Sequence, residues 1–428
     1  MTVVAATAWR GGVGDGLRYG ALGLPLAFVA LPLYVVLPNH YASAYGVPLA
    51  TLGALLLGAR LLDAVADPLI GSAVDRWFQR AIGRVIAFAV LAAVLLAIGF
   101  RGLFFPPMTG GTALLWWCGA LLALTYLSYS VLSVLHQAWG ARLGGAEDQR
   151  ARIVSWREGL ALVGVLVASV LPSLAGLGVS TAVFAVTLAV GVALLARAPR
   201  PALAPAAAPR RWQAVLAQPL HTPAFRRLLA IYLVNGIASA VPATLVLFFI
   251  RDRLQAPTWE PVFLASYFAA GALSMPLWVR AVARIGLARA WLAGMALAVA
   301  AFVWAAALGA GDTLAFVAVC VASGVALGAD LALPGALLAG VIQRAGHGGR
   351  LEGAYFGWWN FATKLNLALA AGIALPLLAA FGYAPGSRDA EALTALTLAY
   401  CLLPCVLKLI AAALLWARWI RHPEETSP

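Results

Sequence analysis

The chain has 428 residues, of which 63% are hydrophobic and only 11% are charged, and its mean hydropathy is +0.92. Soluble globular proteins are about 45–50% apolar and about 25% charged, so this composition excludes a soluble fold. The sequence predicts an all-α polytopic membrane protein, and the formal net charge of +13 has to be explained in that setting.

About twelve segments are apolar and long enough to cross a membrane, since a helix needs roughly 20 residues to span the hydrocarbon. They centre near Pro25, Leu57, Leu95, Leu124, Val165 and Ala189 in the first half, and near Val241, Phe268, Ala298, Val325, Ala368 and Leu409 in the second. We therefore predict a six-helix half at 1–196, a cytoplasmic linker at 197–227 and a second six-helix half at 228–428. Within the linker, "RRWQAVLAQPL" can form a short amphipathic helix at the membrane surface.

The basic residues collect on one side of this topology. With the amino terminus in the cytoplasm, the only arginines of the loops that fall on the opposite side are Arg101, Arg251, Arg253 and Arg388. Cytoplasmic loops carry an excess of lysine and arginine, so this asymmetry predicts that both termini are cytoplasmic. The net charge is then explained by topology, and we expect a lipid bilayer and no nucleic acid among the partners.

The second predicted span contains two carboxylates, Asp63 and Asp67, in "RLLDAVADPLIGSAVDR". Residues four apart lie on one helix face, with Cβ atoms about 5–6 Å apart. One charge at a helix centre costs roughly 2.5–3.5 kcal/mol on insertion scales, and two neighbouring carboxylates do not both ionise cheaply without a cation. The pair therefore predicts a site for a proton or a metal cation. A structural ion pair with Arg60 is the alternative, and it would account for only one carboxylate.

The loop after this span carries Gly71, Asp75, Arg76 and Arg80 and continues to Gly83. A second short basic loop, "PLWVRAVARIGLAR", follows the eighth span in the same relative position. Two six-helix halves with this loop motif resemble the major facilitator superfamily, whose substrate sites lie near the membrane midplane between the halves.

Four segments resemble one family more closely. "RLLDAVADPLIGSAVDR" is similar to the second-helix signature of the glycoside–pentoside–hexuronide:cation symporters, the group that includes melibiose permease. "LRYGALGLPLAF", "SWREG" and "EGAYFGWWNFATKLNLALA" resemble its first, fifth and eleventh helices. The resemblance implies that Asp63 and Asp67 contribute to the site of the coupling cation, and that Arg157 and Lys364 contribute to the substrate site. It also implies symport across a bacterial inner (plasma) membrane.

Four positions depart from the pattern of that family. Pro25 and Ser133 stand where galactoside carriers have acidic residues on the first and fourth helices, and Gln137 replaces a Trp that would stack on a sugar ring. Ala66 replaces an Asn beside Asp67. Sodium needs several oxygen ligands, by analogy with other hard cations, whereas a proton needs one carboxylate. We therefore expect proton coupling in preference to sodium, with Ser133 near the cation site, and a solute other than a galactoside.

Several other polar or aromatic residues lie inside predicted spans. The candidate substrate ligands are Arg157, Lys364, His136, Gln137, Trp359 and Asn360. Packing is the alternative explanation for a lone histidine or an aromatic residue in a span. Asp330 is either a second proton site or the ion-pair partner of Lys364. Arg157 is followed by Glu158, and because adjacent helical residues do not face each other, we expect this pair to interact poorly.

Three functions remain open at this stage. Loss of the two acidic residues with retention of Arg157 and Lys364 leaves a basic cavity, which suits a sugar or glycoside derivative, including an anionic one. A transporter or exporter of a lipid-like or drug-like amphiphile is the first alternative, and an intramembrane enzyme is the second. The sequence has no Walker loop and no HExxH, and Asp330 lacks the glycines of a G-x-G-D motif.

The cysteines have neither metal-ligand spacing nor the pattern of a disulfide framework. We therefore expect no metal site and no cofactor other than the coupling ion, H⁺ or Na⁺. The expected partners are a small solute and the coupling cation, and the expected state is a monomer.

Overall fold

The computed structural model describes residues 9–201 and 212–421, and no strand is assigned in these two ranges. The middle of the predicted linker, which includes Arg210 and Arg211, lies outside the described residues. The described end of that linker is helical from Trp212 to His221, as "RRWQAVLAQPL" indicated. Its position on a membrane surface stays a prediction.

The chain up to the linker is a series of helices separated by short breaks. These are α1 (Val13–Gly20), α2 (Gly23–Phe28), a π-helical turn (Pro32–Val36), α3 (Leu37–Tyr45), α4 (Leu49–Arg80), α5 (Ile82–Phe104), α6 (Gly111–Arg142) and α7 (Glu147–Ala196). Gly46 ends α3 in the left-handed conformation, with φ 65°, which a glycine adopts without a Cβ penalty. Pro48 precedes α4, where a backbone N–H would have no hydrogen-bond partner within the helix, so proline costs no helical hydrogen bond there.

The chain after the linker begins with α8 (Trp212–His221) and continues as helices to its described end. These are α9 (Pro223–Phe248), α10 (Glu260–Ile285), α11 (Leu287–Ala305), α12 (Thr313–Arg344), α13 (Glu352–Ala380), α14 (Ala390–Thr397) and α15 (Leu403–Leu415), with π-helical turns at Phe249–Arg253, Leu398–Leu402 and Trp416–Ile420. A 3-10 turn at Pro257–Trp259 precedes α10. Gly286 joins α10 to α11 with φ 80°.

Within the described residues, nine helices are long and apolar enough to cross a membrane, or ten if the bent pair Val13–Gly20 and Gly23–Tyr34 is one span. One of the nine, α7, has 50 residues and would be about 75 Å long if straight, against about 30 Å of hydrocarbon. Gly176, with φ 78° and ψ 169°, breaks it near the middle, where the sequence predicts two spans. The multi-pass membrane architecture is confirmed, and the count of twelve spans stays a prediction.

The chain divides into two compact units, Met1–Pro219 with Ala345–Phe361 and Leu220–Arg344 with Ala362–Pro428. The start of α13 therefore packs with the first unit and its remainder with the second. The boundaries predicted at 196 and 228 stay a prediction.

Each unit has its own aromatic core. In the first, the rings of Phe28 and Phe184 stack at 5.8 Å, and Phe100 lies 4.5 Å from Phe184. In the second, Phe249 and Tyr400 stack at 4.3 Å. These rings are 4% exposed or less, so they form part of the packed interior of each unit.

Candidate functional site

Asp63 and Asp67 lie in the middle of α4, and their exposed fractions are only 3% and 0%. The hydroxyl of Ser130 on α6 donates a hydrogen bond to Asp63 Oδ1 at 2.5 Å. This distance is typical of a hydroxyl bonded to a charged carboxylate. The structure therefore places two buried carboxylates and one hydroxyl in the first unit, and Ser130 is a residue that sequence reasoning missed.

Ser133 was expected beside the carboxylates, but its hydrogen bonds connect it to two other predicted site residues. Its Oγ lies 3.4 Å from Gln137 Nε2 and 3.3 Å from Asn360 Nδ2. The structure therefore brings Ser133, Gln137 and Asn360 together as a polar cluster of the first unit. Trp359, beside Asn360 in the chain, is buried.

Arg60 makes a contact that the sequence did not indicate. Its guanidinium lies over the ring of Tyr34, 3.7 Å from the centroid. Such a cation–π contact contributes about 0.5–1 kcal/mol at an exposed site and more when it is desolvated. The ion pair of Arg60 with Asp63 stays an alternative to the cation site.

Arg157 and Glu158 pair directly, which contradicts the expectation from their adjacent positions. Arg157 Nε and Nη2 both donate to Glu158 Oε1, at 2.9 and 2.5 Å. Both side chains are long enough to bend towards each other, and Arg157 is buried, so an unpaired charge there would be costly. The charge of Arg157 is thus offset by a neighbouring carboxylate.

His136 lies on α6 and contacts Tyr19 of α1. Its Nε2 lies 2.7 Å from the carbonyl oxygen of Tyr19 and must donate to it, while the Tyr19 hydroxyl donates to the carbonyl oxygen of His136 at 3.1 Å. The two rings are 4.6 Å apart. This reciprocal arrangement favours the packing interpretation of His136, and its role as a solute ligand stays a prediction.

Asp330 pairs with Lys408, a partner that neither sequence alternative included, and its role as a second proton site stays a prediction. Lys408 Nζ lies 2.6 Å from Asp330 Oδ2. The carboxylate also accepts from Ser239 at 3.1 Å, Asn235 at 3.1 Å and Trp291 at 2.9 Å. Four donors match the roughly four acceptor positions of a carboxylate. Lys364 itself is half-buried on α13.

Sequence reasoning missed Lys408, although a signal was present. A single lysine in an otherwise apolar span is costly and marks a functional or structural pair. Its partners Asn235, Ser239 and Asp330 come from α9 and α12, and nothing in the sequence relates these helices to α15.

The loop motif forms a buried charge cluster with the start of α13. Asp75 accepts from Arg142 Nη2 at 2.7 Å and from the backbone N–H groups of Gly353 and Ala354 at 2.7 and 2.8 Å. Arg142 Nη2 also lies 3.1 Å from Glu352. The first N–H groups of a helix have no partner within the helix and attract anions. Asp75 therefore caps α13, whereas Arg76 and Arg80 are exposed.

Gly71 of the same motif allows α4 and α13 to touch. A Cβ atom at Gly71 would lie 2.1 Å from the carbonyl oxygen of Gly353, and one at Gly357 would lie 2.5 Å from the carbonyl oxygen of Asp67. Both contacts belong to the first unit. The glycines thus bring the backbone of α13 against the helix that carries Asp63 and Asp67.

The described residues contain no group of three or more His, Cys, Asp or Glu side chains that could hold a metal ion. The four cysteines are buried and unlinked. The candidate site consists of the Asp63–Asp67 pair with Ser130, the cluster around Ser133, and Arg157 with Glu158.

Two curated relatives from Escherichia coli (strain K12) match part of the chain. YagG, whose name describes a glycoside/cation symporter, is 30% identical over 156 residues, covering 36% of this chain and 34% of YagG. The inner membrane symporter YicJ is 26% identical over 160 residues, covering 37% of this chain and 33% of YicJ. The matched segment thus spans about a third of each relative's length.

Solved structures match over nearly the whole chain. A bacterial homologue of the iron transporter ferroportin aligns with a TM-score of 0.69 and 17% identity, covering 93% of this chain and 99% of that chain. The E. coli fucose:proton symporter FucP aligns with a TM-score of 0.67 and 13% identity, covering 93% and 98%. At such low identity the likeness shows the fold alone, and it confirms the major facilitator fold.

The family comparison covers much more of the chain than the curated relatives do. The family described as MFS/sugar transport protein matches residues 18–420. Its description and the relatives' names are those of transporters, which removes the intramembrane enzyme alternative. This chain belongs to the MFS/sugar transport protein family.

Proposed function

We propose that this protein is a secondary active symporter that moves a small polar solute, a sugar or glycoside derivative, together with a proton. The observation that carries the proposal is the pair of buried carboxylates Asp63 and Asp67 on one membrane helix, with the Ser130 hydroxyl at Asp63. Intramembrane carboxylates are expensive and mark ion or proton pathways. Family membership and the names of the relatives support the same class of activity.

The number of oxygen ligands favours a proton over sodium. Asp63, Asp67 and Ser130 offer carboxylate and hydroxyl oxygens, while the neighbouring position 66 is an alanine. Ser133 is engaged with Gln137 and Asn360. A hard metal cation takes about six or more oxygen ligands when its shell is complete, whereas one carboxylate is enough to carry a proton.

The solute is proposed to bind through hydroxyl groups. Ser133, Gln137 and Asn360 present a hydroxyl and two amides, each with donor and acceptor capacity for sugar hydroxyls. Arg157 is offset by Glu158, so the preference for an anionic derivative rests on Lys364. A glycoside is supported by the name of YagG.

Coupling follows from linkage between the two ligands. If the proton favours the state that binds solute, the solute favours the protonated state by the same factor. Asp63 and Asp67 lie on α4, and Asn360 of the polar cluster lies on α13, which touches α4 through Gly71 and Gly357. A shift of α4 on protonation would therefore reach the polar cluster through this contact. The proposal includes a monomer in the bacterial inner membrane with both termini cytoplasmic.

The test is uptake into proteoliposomes with a pH gradient or a sodium gradient, each imposed alone. A panel of radiolabelled glycosides serves as the solute. The pH gradient alone should drive uptake above equilibrium, and Asp63→Asn or Asp67→Asn should abolish accumulation. Binding of the solute at equilibrium should survive in both variants, because the proposed solute ligands are other side chains.

Asp312→Asn is the matched control, since this carboxylate is exposed and accepts a hydrogen bond from the nearby N–H of Gly309. It should accumulate solute as the unmodified protein does. Uphill uptake driven by sodium alone would refute the proton assignment. Full accumulation by both Asn variants would remove Asp63 and Asp67 from coupling.

A further inference from the structure

The second unit contains a cavity whose lining includes none of the residues of the Ser133 cluster. Its volume is about 140 Å³, and α9, α10, α11, α12 and α15 contribute to its walls. Phe263 and Phe302 form part of its apolar lining, and Asp330 and Lys408 lie at its polar end. An engineered apolar cavity of about 150 Å³ binds benzene. The cavity is therefore large enough for a molecule of one aromatic ring.

Two tyrosine side chains contribute to the wall of this cavity. Tyr267 and Tyr400 both line it, and Tyr400 is only 4% exposed. Stacking on Phe249 at 4.3 Å and edge contact with Phe302 at 5.7 Å fix the Tyr400 ring. A tyrosine hydroxyl both donates and accepts hydrogen bonds, so these two groups can bond a ligand hydroxyl in the cavity.

The charges at the polar end restrict the ligand to a neutral molecule. Asp330 and Lys408 pair at 2.6 Å, and Asn235 and Ser239 occupy their remaining positions. The end of the cavity is therefore neutral as a whole and already satisfied. A carboxylate or an ammonium ligand would bring an unmatched charge into a mostly apolar space, which is unfavourable.

We propose that this cavity is a binding site for a small neutral amphiphile with one ring-sized apolar body and one hydroxyl, of the class of phenol. The ring packs among Phe263, Phe302 and Tyr400, and the hydroxyl bonds the Tyr267 and Tyr400 hydroxyls. All of these residues belong to the second unit. None of the residues that line the cavity is a member of the cluster of Ser133, Gln137 and Asn360.

The test uses ¹⁹F NMR on the full chain in lipid nanodiscs, with empty nanodiscs to subtract partition into lipid. 4-Fluorophenol should bind saturably and be displaced by phenol. Fluorobenzene, which lacks the hydroxyl, should bind about fivefold more weakly. 4-Fluorobenzoate and 4-fluorobenzylammonium should bind at least tenfold more weakly, because each carries a charge.

Two substitutions on α11 distinguish binding in the cavity from binding at the exposed surface of the helix. Ala298 lines the cavity, whereas Ala300 on the same helix is exposed. Ala298→Leu fills part of the space and should lower 4-fluorophenol affinity at least tenfold, and Ala300→Leu should leave it unchanged. Tyr400→Phe should weaken 4-fluorophenol about fivefold and leave fluorobenzene unaffected, since only the hydroxyl is lost.

Absence of saturable binding by the unmodified protein would overturn the proposal. So would equal affinity in Ala298→Leu and the unmodified protein, or tighter binding of benzoate than of phenol. Binding is measured without solute and without a gradient, so its result is independent of whether the chain proves to be a sugar symporter.

Discussion

Lys408 is held by acceptors from two other helices, and these contacts determine what its loss should cost. Its Nζ lies 2.6 Å from Asp330, 2.9 Å from Asn235 and 3.1 Å from Ser239. Removing one partner of a buried ion pair costs about 3–5 kcal/mol, because the other charge is left uncompensated. We therefore expect Lys408→Met to lower markedly the thermal unfolding temperature of the purified protein in detergent.

The double variant Asp330→Asn with Lys408→Met tests this reason. It removes both charges and keeps an amide that can bond Trp291 and Asn235, so it should be closer in stability to the unmodified protein than Lys408→Met alone. Destabilisation that simply adds up in the double variant would show that the two charges do not interact.

Ser130 gives a second prediction at the scale of one residue. Its hydroxyl donates to Asp63 at 2.5 Å, and a donor of this kind stabilises the ionised form of the carboxylate. A hydrogen bond to a charged group contributes about 1.5–3 kcal/mol, which corresponds to tenfold or more in an equilibrium constant. In Ser130→Ala, half-maximal proton-driven uptake should therefore occur at a roughly tenfold lower proton concentration.

Ser130→Thr keeps the hydroxyl and is the matched control, so its uptake profile should stay close to that of the unmodified protein. The direction of the effect is informative. If the coupling ion were sodium, loss of the hydroxyl would remove a ligand, and a higher cation concentration would be required. An unchanged profile in Ser130→Ala would contradict the role of Ser130 at this site.

The sequence predicted the helices that carry these side chains better than the contacts between them. Ser133 and Ser130 are one turn apart on α6; the resemblance placed Ser133 near the cation site, whereas the hydroxyl that bonds Asp63 belongs to Ser130. Periodicity defines the face of a helix but not its depth relative to a neighbour, so the serine that bonds Asp63 was not predictable. The partner of Asp330 was missed for the same reason.

At the scale of elements, the approach of α4 to α13 depends on the absence of side chains. An added Cβ at Gly71 would lie 2.1 Å from the Gly353 carbonyl oxygen, which belongs to the backbone and cannot rotate away. We therefore expect Gly71→Ala to separate the two helices and weaken the contacts of Asp75 with the start of α13. Thermal unfolding should occur at a lower temperature, and transport should fall with it.

Gly53 and Gly58 on the same helix are the controls, because a Cβ at either would meet nothing within 4 Å. Alanine in a helix interior is favoured over glycine by up to about 1 kcal/mol. Gly53→Ala and Gly58→Ala should therefore be neutral or slightly stabilising. If Gly71→Ala behaved as they do, the close approach of the two helices would not be needed for stability.

The existence of the helices was predictable, whereas their interruptions were less so. Long apolar runs predicted the membrane spans, and the linker sequence predicted the helix that the structure shows from Trp212 to His221. The first span is instead bent by 41° between Val13–Gly20 and Gly23–Tyr34. α7 continues past the boundary predicted between the fifth and sixth spans, and only Gly176 departs from helical geometry there.

At the scale of the whole molecule, the family was predictable and the solute was not. The signature around Asp63 and Asp67 indicated a cation symporter family, and the match over residues 18–420 confirms membership in a sugar transport family. The solute depends on which polar groups meet, and the pairing of Arg157 with Glu158 already changes the charge expected of its site. Such pairings are decided by side-chain conformations that a sequence does not specify.

The distribution of arginines predicts the orientation of the chain, and two exposed residues test it. Gln79 lies between Arg76 and Arg80 in the predicted cytoplasmic loop, and Thr109 lies in the loop that follows Arg101. The four native cysteines are buried, so background labelling should be low. An impermeant maleimide added to intact cells should label Thr109→Cys but not Gln79→Cys, and permeabilised cells should label both. Labelling of Gln79→Cys in intact cells would reverse the orientation that the positive-inside rule predicts.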